Sequence, residues 1–184
     1  MKNHSPEAIY TIGVYGYGEA AFFAALQAHG IDLFVDIRRR RGMRGARYKF
    51  VNSSYLRAKL ASLGIDYAHL LELAPTPRIR SLQDLVDQQQ RLQRRSDRQD
   101  LCKEYVHEYK RDILRVYKRK PERKFVAKDA LIRARQLADI PDAQPVLRPA
   151  LFCVEGEPRA CHRSLAAAEI AKQLGVEVKH IVAS

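Results

Sequence analysis

The chain alternates short apolar runs with amphipathic stretches, and each run is bounded by glycine, proline or a cluster of charge. Residues 8–14 form the first apolar run and predict a strand, with the turn Gly13-Val14-Tyr15-Gly16-Tyr17-Gly18 at its end. Over 19–29 the apolar Ala21, Phe22, Ala25 and Leu26 recur at helical spacing, and Gly30 closes that helix. The near-continuous apolar run 31–37, IDLFVDI, suits a parallel strand covered on both faces, which makes a β-α-β unit. A second helix is predicted over 54–63, with Leu56 and Leu60 on its apolar face, followed by a short strand over 65–70.

Pro75 and Pro77 interrupt this rhythm, and residues 81–135 are strongly polar. They read as two or three helices that could project from the sheet as an arm, one of them carrying Leu101, Tyr105, Tyr109, Ile113 and Tyr117, with a further amphipathic helix over 125–137. A proline-rich connector over 140–149 then leads to a buried strand over 150–154, a helix over about 161–174 stopped by Gly175, and a last strand over 176–182. The fold class that follows is α/β: three layers, a mostly parallel sheet of about five strands with helices on both faces, and a basic helical insertion over about 78–140.

Charge changes the picture more than composition does. A hydrophobic fraction of 46% is ordinary, whereas 33 Lys and Arg against 21 Asp and Glu give a net charge of +12 and an isoelectric point of about 9.8. Such an excess implies an anionic partner, of which nucleic acid is the commonest; a solvated surface that only aids solubility is the alternative. Three cysteines without framework spacing suit a reducing compartment. The amino terminus resembles neither a signal nor a transit peptide, and no apolar run approaches the roughly 20 residues that span a bilayer, so a cytoplasmic protein without membrane association is expected.

Candidate chemistry concentrates in LFCVEGEPRACHRS, residues 151–164, where a strand turns into a helix at the edge on which open parallel sheets bind ligands. Cys161, beside His162 and Arg163 at a helix start, is the candidate nucleophile; His162 or His180 is the proton carrier, and Glu155 or Asp36 can orient water. The loop RRRRGMRGARYKF supplies candidate anion-binding residues in Arg38, Arg39, Arg40, Arg41, Arg44 and Arg47, with Arg163, Cys153 and His180 added from the other elements. Tyr48 or Phe50 could stack on a base or simply anchor that loop.

Three other chemistries fit less well. Gly13, Gly16 and Gly18 with Asp36 resemble a dinucleotide fingerprint, but Ala21 stands where a third glycine belongs. Cys153 and Arg159 have thiol-phosphatase spacing, but Glu155 and Glu157 would repel phosphate. Cys153, Cys161, His162 and His180 are zinc ligands by type, but adjacent Cys161 and His162 are not expected to meet one ion. No metal and no cofactor is therefore expected.

These residues resemble the DUF488 family, bacterial and archaeal proteins named for lacking an assigned function. The resemblance rests on Thr11-Ile12-Gly13, Phe22, Leu26, Gly30-Ile31 and Val35-Asp36-Ile37-Arg38. It continues through Leu56, Leu60, Gly64-Ile65, Tyr67 and His69, then Cys153, Glu155, Cys161-His162-Arg163-Ser164, Val178 and His180-Ile181. It implies a three-layer α/β domain, with Asp36, Arg38, Cys153, Glu155, Cys161, His162 and Arg163 as signature polar positions. Two departures stand out: Val14-Tyr15 replaces a His-Ser pair of the first turn, and Leu73-Ala74-Pro75-Thr76 replaces a glycine pair after the third strand. The leading functional expectation is a nucleic-acid-associated enzyme acting on a base, sugar or phosphodiester. The alternatives are a non-catalytic nucleic-acid-binding module and a thiol-dependent enzyme on a small anionic metabolite.

Overall fold

The computed structural model describes residues 6–43, 45–115, 125–141 and 144–183. Five strands, β1 (Ala8–Gly13), β2 (Leu33–Asp36), β3 (Asp66–His69), β4 (Pro149–Cys153) and β5 (Glu177–Ile181), form one sheet in the order β3-β2-β4-β1-β5. Every pairing is parallel. The helices are α1 (Glu19–Ala28), α2 (Ser53–Ser62), α3 (Pro77–Gln89), α4 (Lys103–Asp112), α5 (Ala127–Leu137) and α6 (His162–Leu174).

All residues of β1, β2 and β4 are buried, the condition for continuous apolar runs in a sheet covered on both sides. Alternate residues face opposite layers. Tyr10, Phe34 and Phe152 pack with Phe22 and Leu26 of α1 and Leu56 and Leu60 of α2. Ile9, Val35 and Leu151 pack on the other side with Ile79 of α3, Tyr105 and Tyr109 of α4, Ala130 of α5 and Ile170 of α6. Phe22 stands at the centre of the first layer, its ring within 5.7 Å of those of Phe23, Phe50 and Phe152.

The polar stretch between β3 and β4 differs from the expected arm. Tyr105 and Tyr109 are buried in the core on one side of the sheet, with the Tyr109 hydroxyl donating to Leu73 O at 2.7 Å, so α4 packs into that core beside α3 and α6. Pro77, expected as an interruption, starts α3: a missing N–H costs nothing in a first helical turn, and the Thr76 hydroxyl caps the end by accepting from Ile79 N at 3.3 Å. Tyr117 and the basic run 118–124 lie outside the described residues. No helix among the described residues is long and apolar enough to cross a membrane.

Candidate active site

β4 is the middle strand, so the loop after it is flanked by the ends of β2 and β1. Ile37 N donates to Phe152 O at 3.2 Å, and Val14 N and Tyr15 N both donate to Val154 O, at 3.2 and 3.0 Å. The loop then passes directly over Gly13, where a Cβ would lie 1.8 Å from Glu155 O. Gly13 is thus required for close approach of two backbones. Behind the loop, the fully buried Arg163 of α6 donates through Nη1 to Glu155 O and through Nη2 to Gly156 O at 2.8 Å. Arg163 faces the back of the loop and holds its shape.

This clamp gathers the polar groups of the turn around the two sulfurs. Glu155 Oε2 is 3.2 Å from Cys153 Sγ and 3.2 Å from Cys161 Sγ. His162 Nδ1 is 3.9 Å from the first sulfur and 3.8 Å from the second, while its Nε2 faces Ile37 O at 3.3 Å. Although Cys161 and His162 are adjacent, their donor atoms come within 3.8 Å of each other, for a local reason. Cys161 is the N-cap of α6 with extended backbone, φ −137° and ψ 140°, and His162 is the first helical residue, so the change of conformation turns both side chains to the same side.

The electrostatics follow from burial and mutual proximity. Burial pushes the Glu155 carboxyl up to about 7, with the Cys161 sulfur adding to the rise and His162 opposing it. For Cys161 burial also raises the thiol, but the hydrogen bond with Cys153 and the charges of His162 and Arg163 outweigh it and hold it well below the usual range. Cys153 moves the opposite way, through its hydrogen bond to Cys161 and through burial. Burial lowers His162, and the neighbouring Cys161 more than reverses that.

The cluster forms part of the wall of a cavity of about 500 Å³. Cys153, Glu155 and His162 line it together with Arg38, Arg39 and Arg40 of the loop after β2 and with Arg80, Gln83, Arg98 and Tyr105 from the segment between β3 and β4. Cys161, 1% exposed, sits behind them. Arg98 spans the two halves: it pairs with Asp87 of α3 and places Nη1 3.8 Å from Glu155 Oε1. Gln83 supports that bridge, donating to Asp87 at 2.9 Å and accepting from Cys102 N at 2.7 Å.

The remaining candidates occupy distinct places. Asp36 is fully buried; Arg38 Nε and Nη2 hold its two oxygens at 2.9 and 2.8 Å, and the Tyr67 hydroxyl donates to it at 3.0 Å. That saturated carboxylate does not line the cavity. Arg38 also donates to Val51 O at 2.9 Å, and its buried Nη1 has no partner among the described residues. Arg39 is fixed by Nε on Pro75 O at 2.8 Å. Arg41 sits beside Tyr67, Arg47 lies over the Tyr48 ring at 5.3 Å, and Arg44 is outside the described residues. His180 bonds Thr11 Oγ1 through Nδ1 at 2.7 Å on the β5 side of the sheet, away from the cavity. Phe50 is buried against Phe22 and anchors its loop. The phosphatase spacing forms no cradle, because the Arg159 side chain is 71% exposed beside Asp100 and Glu157. Sequence reasoning missed Arg80, Gln83 and Arg98, whose only local signal was their place in a basic, glutamine-rich segment.

The family model described as "Domain of unknown function DUF488" matches residues 19–170, and the chain belongs to that family. The match takes in β2, the segment between β3 and β4, and the whole thiol cluster. No curated protein and no solved structure matches the chain.

Proposed function

We propose that this DUF488 protein is a nucleic-acid-associated enzyme that draws one phosphorylated residue of its substrate into the arginine-lined cavity and acts on its base, sugar or phosphodiester. One observation carries the reading: a single cavity of about 500 Å³ is lined both by arginines from two separate segments and by Cys153, Glu155 and His162. Arg39, Arg40 and Arg80 have no carboxylate partner among the described residues, and Arg38 offers one unspent buried donor. Guanidinium groups so placed suit phosphate oxygens. The net charge of +12 supports attraction to a polyanion rather than to a lone metabolite.

In this reading Cys153, Glu155 and His162 face the substrate, and Cys161 acts through them from behind. Asp36 and Arg163 are positioning residues: the first holds Arg38, the second holds the loop. The test is fluorescence anisotropy of labelled single-stranded and duplex DNA and RNA across a salt series. Affinity should fall with a log-log slope of roughly 0.9 per phosphate neutralised on duplex DNA. Arg39→Ala with Arg40→Ala should weaken binding and flatten the slope by about 2, whereas Glu155→Gln should leave binding unchanged and abolish turnover. Binding that ignores Arg39 and Arg40 removes the reading; binding without turnover by either form leaves a non-catalytic module; and weak binding beside activity on a small phosphate ester favours a metabolite enzyme.

A further inference from the structure

We propose that Cys153, Cys161, His162 and Glu155 form a tetrahedral zinc site at the floor of the cavity. A zinc ion about 2.3 Å from sulfur and about 2.0 Å from nitrogen or carboxylate oxygen holds neighbouring donor atoms about 3.5 Å apart. The sulfur-to-oxygen distances here are 3.2 and 3.2 Å and the sulfur-to-nitrogen distances 3.9 and 3.8 Å, bracketing that value. The two sulfurs and a ring nitrogen of His162 all lie within 4.8 Å of one another, on residues that are each buried; Glu155, 3.2 Å from both sulfurs, lies outside that group, and its carboxylate turns toward the imidazole to complete the set. Hydrogen bonding alone accounts poorly for this convergence, since the two sulfur-to-imidazole contacts are at the long end of any such bond.

The surrounding contacts fit the same assignment. His162 Nε2 faces Ile37 O at 3.3 Å, which fixes its proton there and turns the Nδ1 lone pair toward the sulfurs. That is the outer bond that metal-ligating histidines make. The second oxygen of Glu155 faces Arg98 Nη1 at 3.8 Å, leaving Oε2 toward the sulfurs. Arg163 pins the backbone of Glu155 and Gly156, and Gly13 lets it lie there, so the four donors are held on a short, clamped turn. Two thiolates with an imidazole and a carboxylate favour zinc over magnesium or calcium, which take oxygen ligands.

The site shares Cys153, Glu155 and His162 with the proposed active centre but does not rest on the nucleic-acid reading: metal content does not depend on Arg39 or Arg40, so either can fail while the other holds. The experiment uses the full chain, purified under reducing conditions. Its metal content is measured by mass spectrometry, and the protein is then stripped with a chelator and titrated with cobalt(II). Expected are one zinc per chain and, with cobalt, the visible bands of a tetrahedral ion together with near-ultraviolet sulfur-to-metal charge transfer. Cys102→Ser, outside the cluster, keeps the full spectrum. Cys161→Ser loses about half of the charge-transfer intensity, and Glu155→Gln keeps that intensity with weaker binding. The wild-type spectrum decides by itself, so a ligand variant that fails to fold does not blunt the test. Wild-type protein that takes up cobalt without sulfur charge transfer, or takes up none, overturns the site. Another native ion on the same four residues overturns the zinc assignment.

Discussion

Gly13→Ala tests whether the site is built on close backbone approach. Gly13 is not among the residues with positive φ, so alanine meets no conformational penalty there and the whole effect is steric. The added Cβ would lie 1.8 Å from Glu155 O and 3.0 Å from Arg163 Nη1, whereas ordinary contact begins at 3.4 Å. The loop must therefore retreat by 3.4 − 1.8 = 1.6 Å. It cannot do so freely, being held by Arg163 at two carbonyls and by Val14 N and Tyr15 N at a third. Overpacking costs typically about 1–3 kcal/mol, and a clash with anchored backbone belongs at the upper end, about 3 kcal/mol. For a chain of this size that lowers the melting temperature by roughly 6–12 °C. Urea and thermal unfolding of Gly13→Ala and Gly42→Ala make the comparison, since a Cβ at Gly42 meets nothing within 4 Å. A Gly13→Ala protein within about 0.5 kcal/mol of the parent would refute the reasoning.

Two further outcomes follow from the ion pairs. Arg38→Met should cost about 3–5 kcal/mol in urea unfolding, because it leaves the Asp36 carboxylate buried without its cation. Adding Asp36→Leu should recover part of that loss, and strict additivity of the two would mean that they do not act as a pair. On the surface, the Arg111 hydrogen bond, opposed by some desolvation and aided by Arg78, holds Asp112 down from an ordinary 3.8 to about 2. A depressed carboxyl contributes stability that is present above its ordinary value and is lost as pH falls through about 2. The difference in melting temperature between the parent and Asp112→Asn should therefore shrink between about pH 4 and pH 2; a constant difference would show that the bridges to Arg111 and Arg78 together contribute nothing.

The sheet was legible because its central strands are covered on both faces and so carry continuous apolar runs, while α1, α2 and α6 end at Gly30, Gly64 and Gly175 or just before them. The placement of Cys153, Glu155, Cys161 and His162 together followed from chain proximity, since a strand-to-helix turn confines them to a few residues. Their shared centre was not legible, because it depends on the extended φ and ψ at Cys161. Nor was the division among the arginines: type and spacing make Arg38, Arg40 and Arg163 look alike, yet the first is locked to Asp36, the second faces the cavity and the third backs the loop. Arg98 was invisible for a different reason. It reaches Glu155 across a separation of 57 residues, through a tertiary contact that no local pattern encodes.

That contact changes how the segment between β3 and β4 is understood. Two guanidinium groups bracket Glu155, Arg163 at its backbone carbonyl and Arg98 at its carboxylate, and they come from opposite sides of the cluster. Arg163 lies in the thiol turn itself, two residues after Cys161. Arg98 depends on Asp87 and Gln83, and Arg80 lies on the same helix as both, so one side of the cavity is set by how α3 packs. The thiol turn and one side of the cavity are thereby carried by different parts of the chain. Substitutions in α3, the helix that Thr76 caps, would therefore reshape that side of the cavity and reach the thiols only through the contact of Arg98 with Glu155.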